Sequence, residues 1–106
     1  MKKHEAKRKC KVMFQHVWTV LVRIDRSQTS DEIESKLEDC LRSGHRVIEL
    51  SRGVQDLAYT ARVEQAYQSL TELAIAWRAE DLTPHPSDSV KQLLVAATRR
   101  YLAIGG

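Results

Sequence analysis

Proline and glycine are scarce in this chain and are confined to a few positions. The first 83 of its 106 residues contain no proline and only two glycines, Gly44 and Gly53. The two prolines, Pro84 and Pro86, then arrive almost together. Because proline and glycine are the strongest breakers of regular structure, long stretches without them favour long helices.

Several sequence features of enzymes and metalloproteins are also missing. The two cysteines, Cys10 and Cys40, form no CxxC motif, and no pair of His or Cys residues has the spacing of a zinc site. The chain has no glycine-rich phosphate loop, and no serine lies on a glycine-flanked turn. We therefore predict a protein with no catalytic residues, no cofactor and no metal. Both thiols are expected to be small buried groups.

Long hydrophobic runs are absent as well. No segment approaches the ~20 consecutive apolar residues that a membrane-spanning helix needs. The apolar stretch that follows the basic start is interrupted by Gln15 and His16, so it does not resemble a signal peptide. We expect a cytoplasmic protein that does not associate with membranes.

Positive charge is concentrated at the start of the chain. The formal net charge is +3, but residues 1–11 alone carry six Lys and Arg residues against Glu5, a local charge of +5. The rest of the chain therefore has a charge of −2. The basic character belongs to an N-terminal arm at residues 1–9, which we expect to be either disordered or the frayed start of a helix.

Apolar residues recur every three or four positions over most of the chain, which is the period of a helix packed on one side. The first such segment predicts a helix over 4–25, with its stripe at Cys10, Phe14, Val17, Leu21 and Ile24. Thr29 and Glu32 then form a capping box that predicts the start of a second helix. Ser43–Gly44 predicts the end of that helix.

The segment from His45 to Ala79 is the longest periodic stretch, and the phase of its apolar residues shifts by two positions part-way along. Either the helix is broken near Ser51–Gly53, with Ser51 capping a new helix, or two halves of one helix face different neighbours. A loop over 80–89 follows. Ser87 or Ser89 is expected to cap the last helix.

These patterns predict an all-α fold: one helical domain over 1–106, built as a small bundle of three to five helices and completed by dimerisation. The alternative is a small α/β domain with a βαβ unit at 17–50, because Val17–Ile24 also alternates as a strand does. We favour the bundle because the apolar seam from Val47 to Ala61 keeps its helical phase through the proposed second strand.

The first predicted helix is apolar around most of its circumference, and such a helix must be covered on several sides. Phe14, Val17, Trp18 and Leu21 have the spacing of anchors that dock a helix into a groove. We therefore predict a non-catalytic regulatory or adaptor protein that binds a partner protein through these residues and forms a homodimer. Sequestering a transcriptional regulator is one example of such a function.

The alternative is a nucleic-acid-binding regulator that uses its basic arm. Its phosphate contacts would come from Lys2, Lys3, Lys7, Arg8, Lys9 and Lys11. We rank this function second, because the arm has no aromatic residue for base stacking and no recognition-helix pattern follows it.

Overall fold

The computed structural model describes residues 2–105, and these residues form four α-helices and no strand. The helices are α1 (Lys3–Arg23), α2 (Ser30–Ser51), α3 (Leu57–Ala79) and α4 (Asp88–Gly105). The predicted all-α fold is confirmed. The alternative with a βαβ unit at 17–50 is wrong, because the proposed strands are parts of α1 and α2. Met1 and Gly106, which the predicted domain includes, lie outside the described residues.

The four helices surround one apolar core. α1 and α3 each pack against both α2 and α4, so α1 and α3 face each other across the bundle. Short connections reverse the chain after each helix, which makes neighbouring helices antiparallel. The bundle measures 43 × 19 × 19 Å. Its largest fully buried side chains come from every helix and include Trp77, Tyr101, Phe14, Leu21, Ile33, Leu37 and Leu70.

The connection between α1 and α2 is a single 3₁₀ turn, Ile24–Arg26, followed by the predicted cap. The Thr29 side chain accepts a hydrogen bond from the Glu32 N–H at 3.2 Å, which confirms this half of the capping box. The other half differs, because the Glu32 carboxylate accepts from the Gln28 N–H at 3.1 Å and not from that of Thr29. Both bonds still satisfy backbone donors at the start of α2.

The long periodic segment is two helices and not one. α2 ends at Ser51, a 3₁₀ turn covers Arg52–Val54, and Gln55 takes the left-handed conformation with φ 58°. Asp56 caps α3 by accepting from the Tyr59 N–H at 3.1 Å. The predicted cap at Ser51 is wrong, since its hydroxyl donates to the Ile48 carbonyl inside α2 at 2.7 Å.

Gly44 does not end a helix, and this prediction is also wrong. α2 continues through Gly44 to Ser51, and Gly44 is buried against two other helices. A Cβ atom at this position would lie 2.9 Å from the Tyr101 hydroxyl and 3.2 Å from Leu70 Cδ1. Glycine is favoured here because a Cβ atom would crowd the side chains of α3 and α4, which approach the backbone of α2 closely.

Hydrogen bonds hold the loop between α3 and α4 in place at several points. Trp77 Nε1 donates to the Thr83 carbonyl at 2.8 Å, and the Glu80 carboxylate accepts from the N–H and hydroxyl of Ser87 at 2.8 and 2.5 Å. Ser87 also caps α4, because its hydroxyl oxygen accepts from the Val90 N–H at 3.4 Å. Of the two predicted caps, Ser87 is therefore the one used.

Candidate partner-binding surface

Three of the four predicted partner-binding residues lie inside the bundle. The side chains of Phe14, Val17 and Leu21 are 0–1 % exposed. The Phe14 ring packs edge-on against Tyr59, with centroids 6.4 Å apart, and is tilted against Tyr101 at 5.9 Å. The spacing of these residues therefore serves the core of the protein's own bundle. A partner cannot reach them in the folded chain.

Trp18 is the predicted anchor that reaches the surface. It is partly buried and packs at the edge of the core. Elsewhere on α1, Val12 is 61 % exposed and Val22 is 41 % exposed. Val12 and Trp18 are six positions apart and point in directions about 120° apart, so α1 has incompletely covered apolar side chains on more than one side.

Exposed apolar residues also lie on the other helices. Leu57 and Ile75 lie at opposite ends of α3 and are 91 % and 64 % exposed. Val95 and Leu102 on α4 are 47 % and 51 % exposed. Isolated apolar residues of this kind are common on soluble proteins. α1 is the better candidate surface because it combines exposed valines with a partly exposed tryptophan.

The cationic residues predicted to contact nucleic acid belong to the first turns of α1 or directly precede them. The structure exposes all of these side chains: Lys2, Lys3, Lys7, Arg8, Lys9 and Lys11. Ala6 and Cys10, which lie among them in the sequence, are completely buried. Residues 3–9 are thus a helical part of the bundle, which fixes the directions in which their charges point.

Two of the cations at this end surround an aromatic ring. Lys7 Nζ lies 5.6 Å from the centroid of the Tyr59 ring, and Arg62 Cζ lies 5.9 Å from it. Such cation–π contacts hold the cations near the surface of the bundle. Burial raises the pKa of the Tyr59 hydroxyl, so its ring remains neutral over the physiological range.

The antiparallel fold gathers further cations at the end of the bundle where α1 begins. This basic end comprises residues 2–13, 43–68 and 100–105, and contains ten Lys and Arg residues against four Asp and Glu, a charge of +6. The remaining residues carry seven cations and ten anions, a charge of −3. The cations outside the N-terminal segment could not be assigned to this end from the sequence, because the fold has to bring three chain segments together. They are Arg46, Arg52, Arg62 and Arg100.

One polar cluster between α1 and α2 has the residue types of a hydrolase triad but not its geometry. His16 Nε2 lies 3.0 Å from Asp39 Oδ2, and the Ser43 hydroxyl donates to Asp39 Oδ1 at 3.3 Å. A nucleophilic serine needs the imidazole beside it as a base. Here both side chains bond to the same carboxylate instead, so the cluster links two helices and does not activate Ser43.

The two thiols are buried and unpaired, as predicted. Burial raises the pKa of the Cys10 thiol and raises that of Cys40 to about 12. Because the thiolate is the nucleophile and the metal ligand, neutral buried thiols of this kind are unreactive. Within residues 2–105, no three His, Cys, Asp or Glu side chains come together as a metal site requires.

The comparisons with known proteins contribute no functional assignment. No family model, curated protein or solved structure matches this chain. Among the described helices, none has the length and apolar character required to cross a bilayer. The function must therefore be inferred from the surface of the bundle.

Proposed function

We propose that this protein is a non-catalytic regulatory or adaptor protein that binds a partner protein through the apolar surface of α1. The observation that supports this proposal is the partly exposed Trp18, on the helix that also exposes Val12 and Val22. Tryptophan at a surface is a typical binding anchor, because its large ring gains much from burial. Sequestering a transcriptional regulator in the cytoplasm is one form that this function can take.

We also propose that the chain is a homodimer. A bundle of this size buries a smaller share of its surface than a larger domain does, and is correspondingly only modestly stable by itself. Covering exposed apolar side chains such as Leu57 or Leu102 with a second copy would add buried area.

Affinity capture from cells of the source organism tests the adaptor function. The baits are the wild type, Trp18→Ala, and Ile75→Ala as a control that removes an exposed apolar side chain from α3. We expect the wild type and Ile75→Ala to retain the same protein, and Trp18→Ala to retain at least about tenfold less of it.

Thermal unfolding of the same variants separates binding from folding. If Trp18→Ala lowers the free energy of unfolding by ~3–5 kcal/mol and still retains the partner, Trp18 is a core residue and the proposed surface is wrong. If its stability changes by less while the partner is lost, Trp18 acts as a binding anchor.

Nucleic-acid binding is a second candidate function, and the charge of the basic end favours it. The exposed cations at the start of α1 lie at the same end as Arg46, Arg52, Arg62 and Arg100. Lys and Arg side chains clustered in this way bind phosphates, with an affinity that falls steeply as salt rises.

Filter binding of random duplex DNA at two salt concentrations tests this second function. Lys9→Glu with Lys11→Glu should abolish retention, whereas Lys91→Glu with Arg99→Glu on α4 should preserve it. Charge reversal is preferable to deleting residues 1–9, because a deletion also removes the buried Ala6. If the wild type retains no DNA at low salt, nucleic-acid binding is excluded.

A further inference from the structure

We infer that a groove between α1 and α2 at the basic end docks an acidic amphipathic segment of the partner protein. This inference rests on the proposed adaptor function and adds a second contact of the partner beside Val12, with the chemistry of the segment that binds there. Trp18 lies outside the groove and would be a separate contact. The α1–α2 groove has a volume of about 360 Å³ and is lined by Arg8, Lys9, Val12, Met13, Arg46 and Leu50.

The two helices place cations and apolar side chains side by side in this groove. Cys10 Sγ lies 4.0 Å from the Val47 carbonyl, so Cys10 on α1 lies level with Val47 on α2. Along α1, Arg8 precedes Val12 by one helical turn, and Lys9 precedes Met13 by one turn. Along α2, Arg46 precedes Leu50 by one turn. Because neighbours one turn apart lie on the same face, each apolar residue has a cation beside it.

The groove exposes one apolar side chain, Val12, beside Met13 and Leu50, which pack into or against the core of the bundle. Val12 is 61 % exposed, the largest exposure of an apolar residue on α1. Met13 is partly buried, and Leu50 closes the bottom at 9 % exposure. A flexible methionine beside a branched side chain can adapt to an apolar group from another protein.

The rim of the groove has cations that are free to bind a negatively charged partner. Across the described chain, Arg8 and Lys9 take part in no ion pair. Arg46 contacts Glu49 at 3.3 Å, but both side chains are about half exposed, with exposures of 58 % and 47 %. Such a surface ion pair contributes little to stability, so replacing Glu49 by a carboxylate of the partner costs little free energy.

Charge and shape together favour an acidic protein segment over nucleic acid. Phosphates would contact Arg8, Lys9 and Arg46 but would leave the apolar floor uncovered. A helix or strand with apolar side chains flanked by Asp or Glu would cover the apolar floor and form ion pairs with the cations of the rim. The charge of +6 at the basic end attracts the same kind of segment over a longer range.

Fluorescence anisotropy with a synthetic probe tests this inference. The probe is a labelled helical peptide of roughly four turns, with Leu at i, i+3 and i+7 and Glu or Asp elsewhere. A second peptide has Lys in place of the acidic residues, and a short random DNA duplex serves as competitor. The test variants are Val12→Asp, and Arg8→Glu combined with Lys9→Glu.

The outer face of α4 supplies matched controls. Val95 is 47 % exposed and lies near Lys91 and Arg99, which repeats the residue types of the groove without its second helix. We expect Val95→Asp, and Lys91→Glu combined with Arg99→Glu, to bind the acidic peptide as the wild type does. Both groove variants should bind it at least about tenfold more weakly, and the lysine peptide should not bind.

Several outcomes would overturn the inference. No binding of the acidic peptide to the wild type would do so, as would an equal loss of binding in the α4 controls. If the duplex displaces the peptide and Val12→Asp has no effect, the groove is part of a polyanion site. If Val12→Asp abolishes self-association, the occupant is a second copy of the chain.

The groove and the adaptor function can fail separately. If affinity capture still retains the partner with Val12→Asp and with the Arg8→Glu, Lys9→Glu pair, the adaptor function stands and the groove is the wrong surface. If the wild type captures no partner and yet binds the acidic peptide with the expected pattern of variants, the adaptor function fails and the peptide preference of the groove remains.

Discussion

At the scale of single residues, Tyr101 packs closely against Gly44, where an added Cβ atom would lie 2.9 Å from its hydroxyl. The Tyr101 side chain is 1 % exposed, and its hydroxyl is buried without a hydrogen-bond partner in the described part of the chain. Burial raises the pKa of this hydroxyl, so it stays protonated. A buried polar group without a partner lowers the stability of the folded state.

A double-mutant cycle on these two residues checks this contact. Gly44→Ala should lower the free energy of unfolding by about 1–3 kcal/mol, because overpacking outweighs the better helix propensity of alanine. Tyr101→Phe should change it by less than about 1 kcal/mol or raise it, because it removes the unpartnered hydroxyl. In the double variant, the missing hydroxyl leaves room for the new methyl group, so the loss should be smaller than the sum of the two.

Urea unfolding measures all four free energies in this cycle. If the changes in unfolding free energy of the two single variants are additive, the methyl group of Gly44→Ala does not contact the Tyr101 hydroxyl.

The buried Cys40 thiol predicts a specific dependence of stability on pH. Its pKa is raised from the ordinary 9.0 to about 12 in the folded chain, mainly by burial and also by the nearby charge of Asp39. Above pH 9 the unfolded chain ionises this thiol while the folded chain does not, which favours unfolding. Its contribution to stability is therefore complete below pH 9 and declines as the pH rises towards 12.

Cys40→Ala isolates this contribution from other groups that titrate at high pH. The difference in unfolding free energy between wild type and Cys40→Ala should be constant up to about pH 9 and then shrink. A thiol reagent at pH 8 should label Cys40 only after unfolding, since the reactive species is the thiolate. Rapid labelling of Cys40 in the native protein would show that its thiol is not buried.

At the scale of helices, stability depends on caps that the structure identifies. Thr29→Ala and Asp56→Ala should each lower the free energy of unfolding by about 1 kcal/mol, because each removes a hydrogen bond to the first turn of a helix. Ser89→Ala is the matched control, because the cap of α4 is Ser87. We expect Ser89→Ala to leave stability nearly unchanged in thermal unfolding; a loss equal to that of Thr29→Ala would contradict this assignment.

The helices were predictable from the sequence because their signals are local. The stripe from Cys10 to Ile24 follows from the period of a helix, and the Thr29 cap follows from residues three apart. The apolar seam predicted from Val47 to Ala61 is wrong beyond Val54, because α2 ends at Ser51 and the side chains of Leu57 and Ala61 are exposed. The role of Gly44 was not predictable, because it depends on Tyr101 from another helix. The same kind of local signal predicted the end of α2 at the wrong residue.

The candidate site was less predictable, because periodicity does not show what covers an apolar stripe. Phe14, Val17 and Leu21 have the spacing of binding anchors, and they are covered by helices of the same chain. The α1–α2 groove requires Arg46 and Leu50 from a second helix, in a register that only the folded chain defines. If the predicted helices are assumed to pack antiparallel, the charges in each half of each helix indicate the basic end.

At the scale of the whole molecule, the bundle is electrically polar along its 43 Å length. The basic end carries +6 and the rest of the chain −3. We expect an acidic partner, if the proposed function holds, to be oriented towards the start of α1 before contact, by an attraction that weakens as salt rises.

The oligomeric state is also a property of the whole molecule. We predict that light scattering at micromolar concentration gives a mass of about twice the 12.1 kDa of one chain. The mass should fall towards that of one chain on dilution, as mass action requires. A mass of a single chain at every concentration would show that the protein is not a dimer.

Site-specific photocrosslinking in cells of the source organism tests the proposed α1 binding surface most directly. A photoreactive phenylalanine analogue replaces one exposed residue at a time: Val12 or Val22 on α1, and Ile75 or Val95 on the other helices as controls. We predict that Val12 and Val22 on α1 give crosslinks to the same partner protein, and that the control positions do not. Crosslinks of equal yield from all four positions, or only from α3 and α4, would contradict binding through α1.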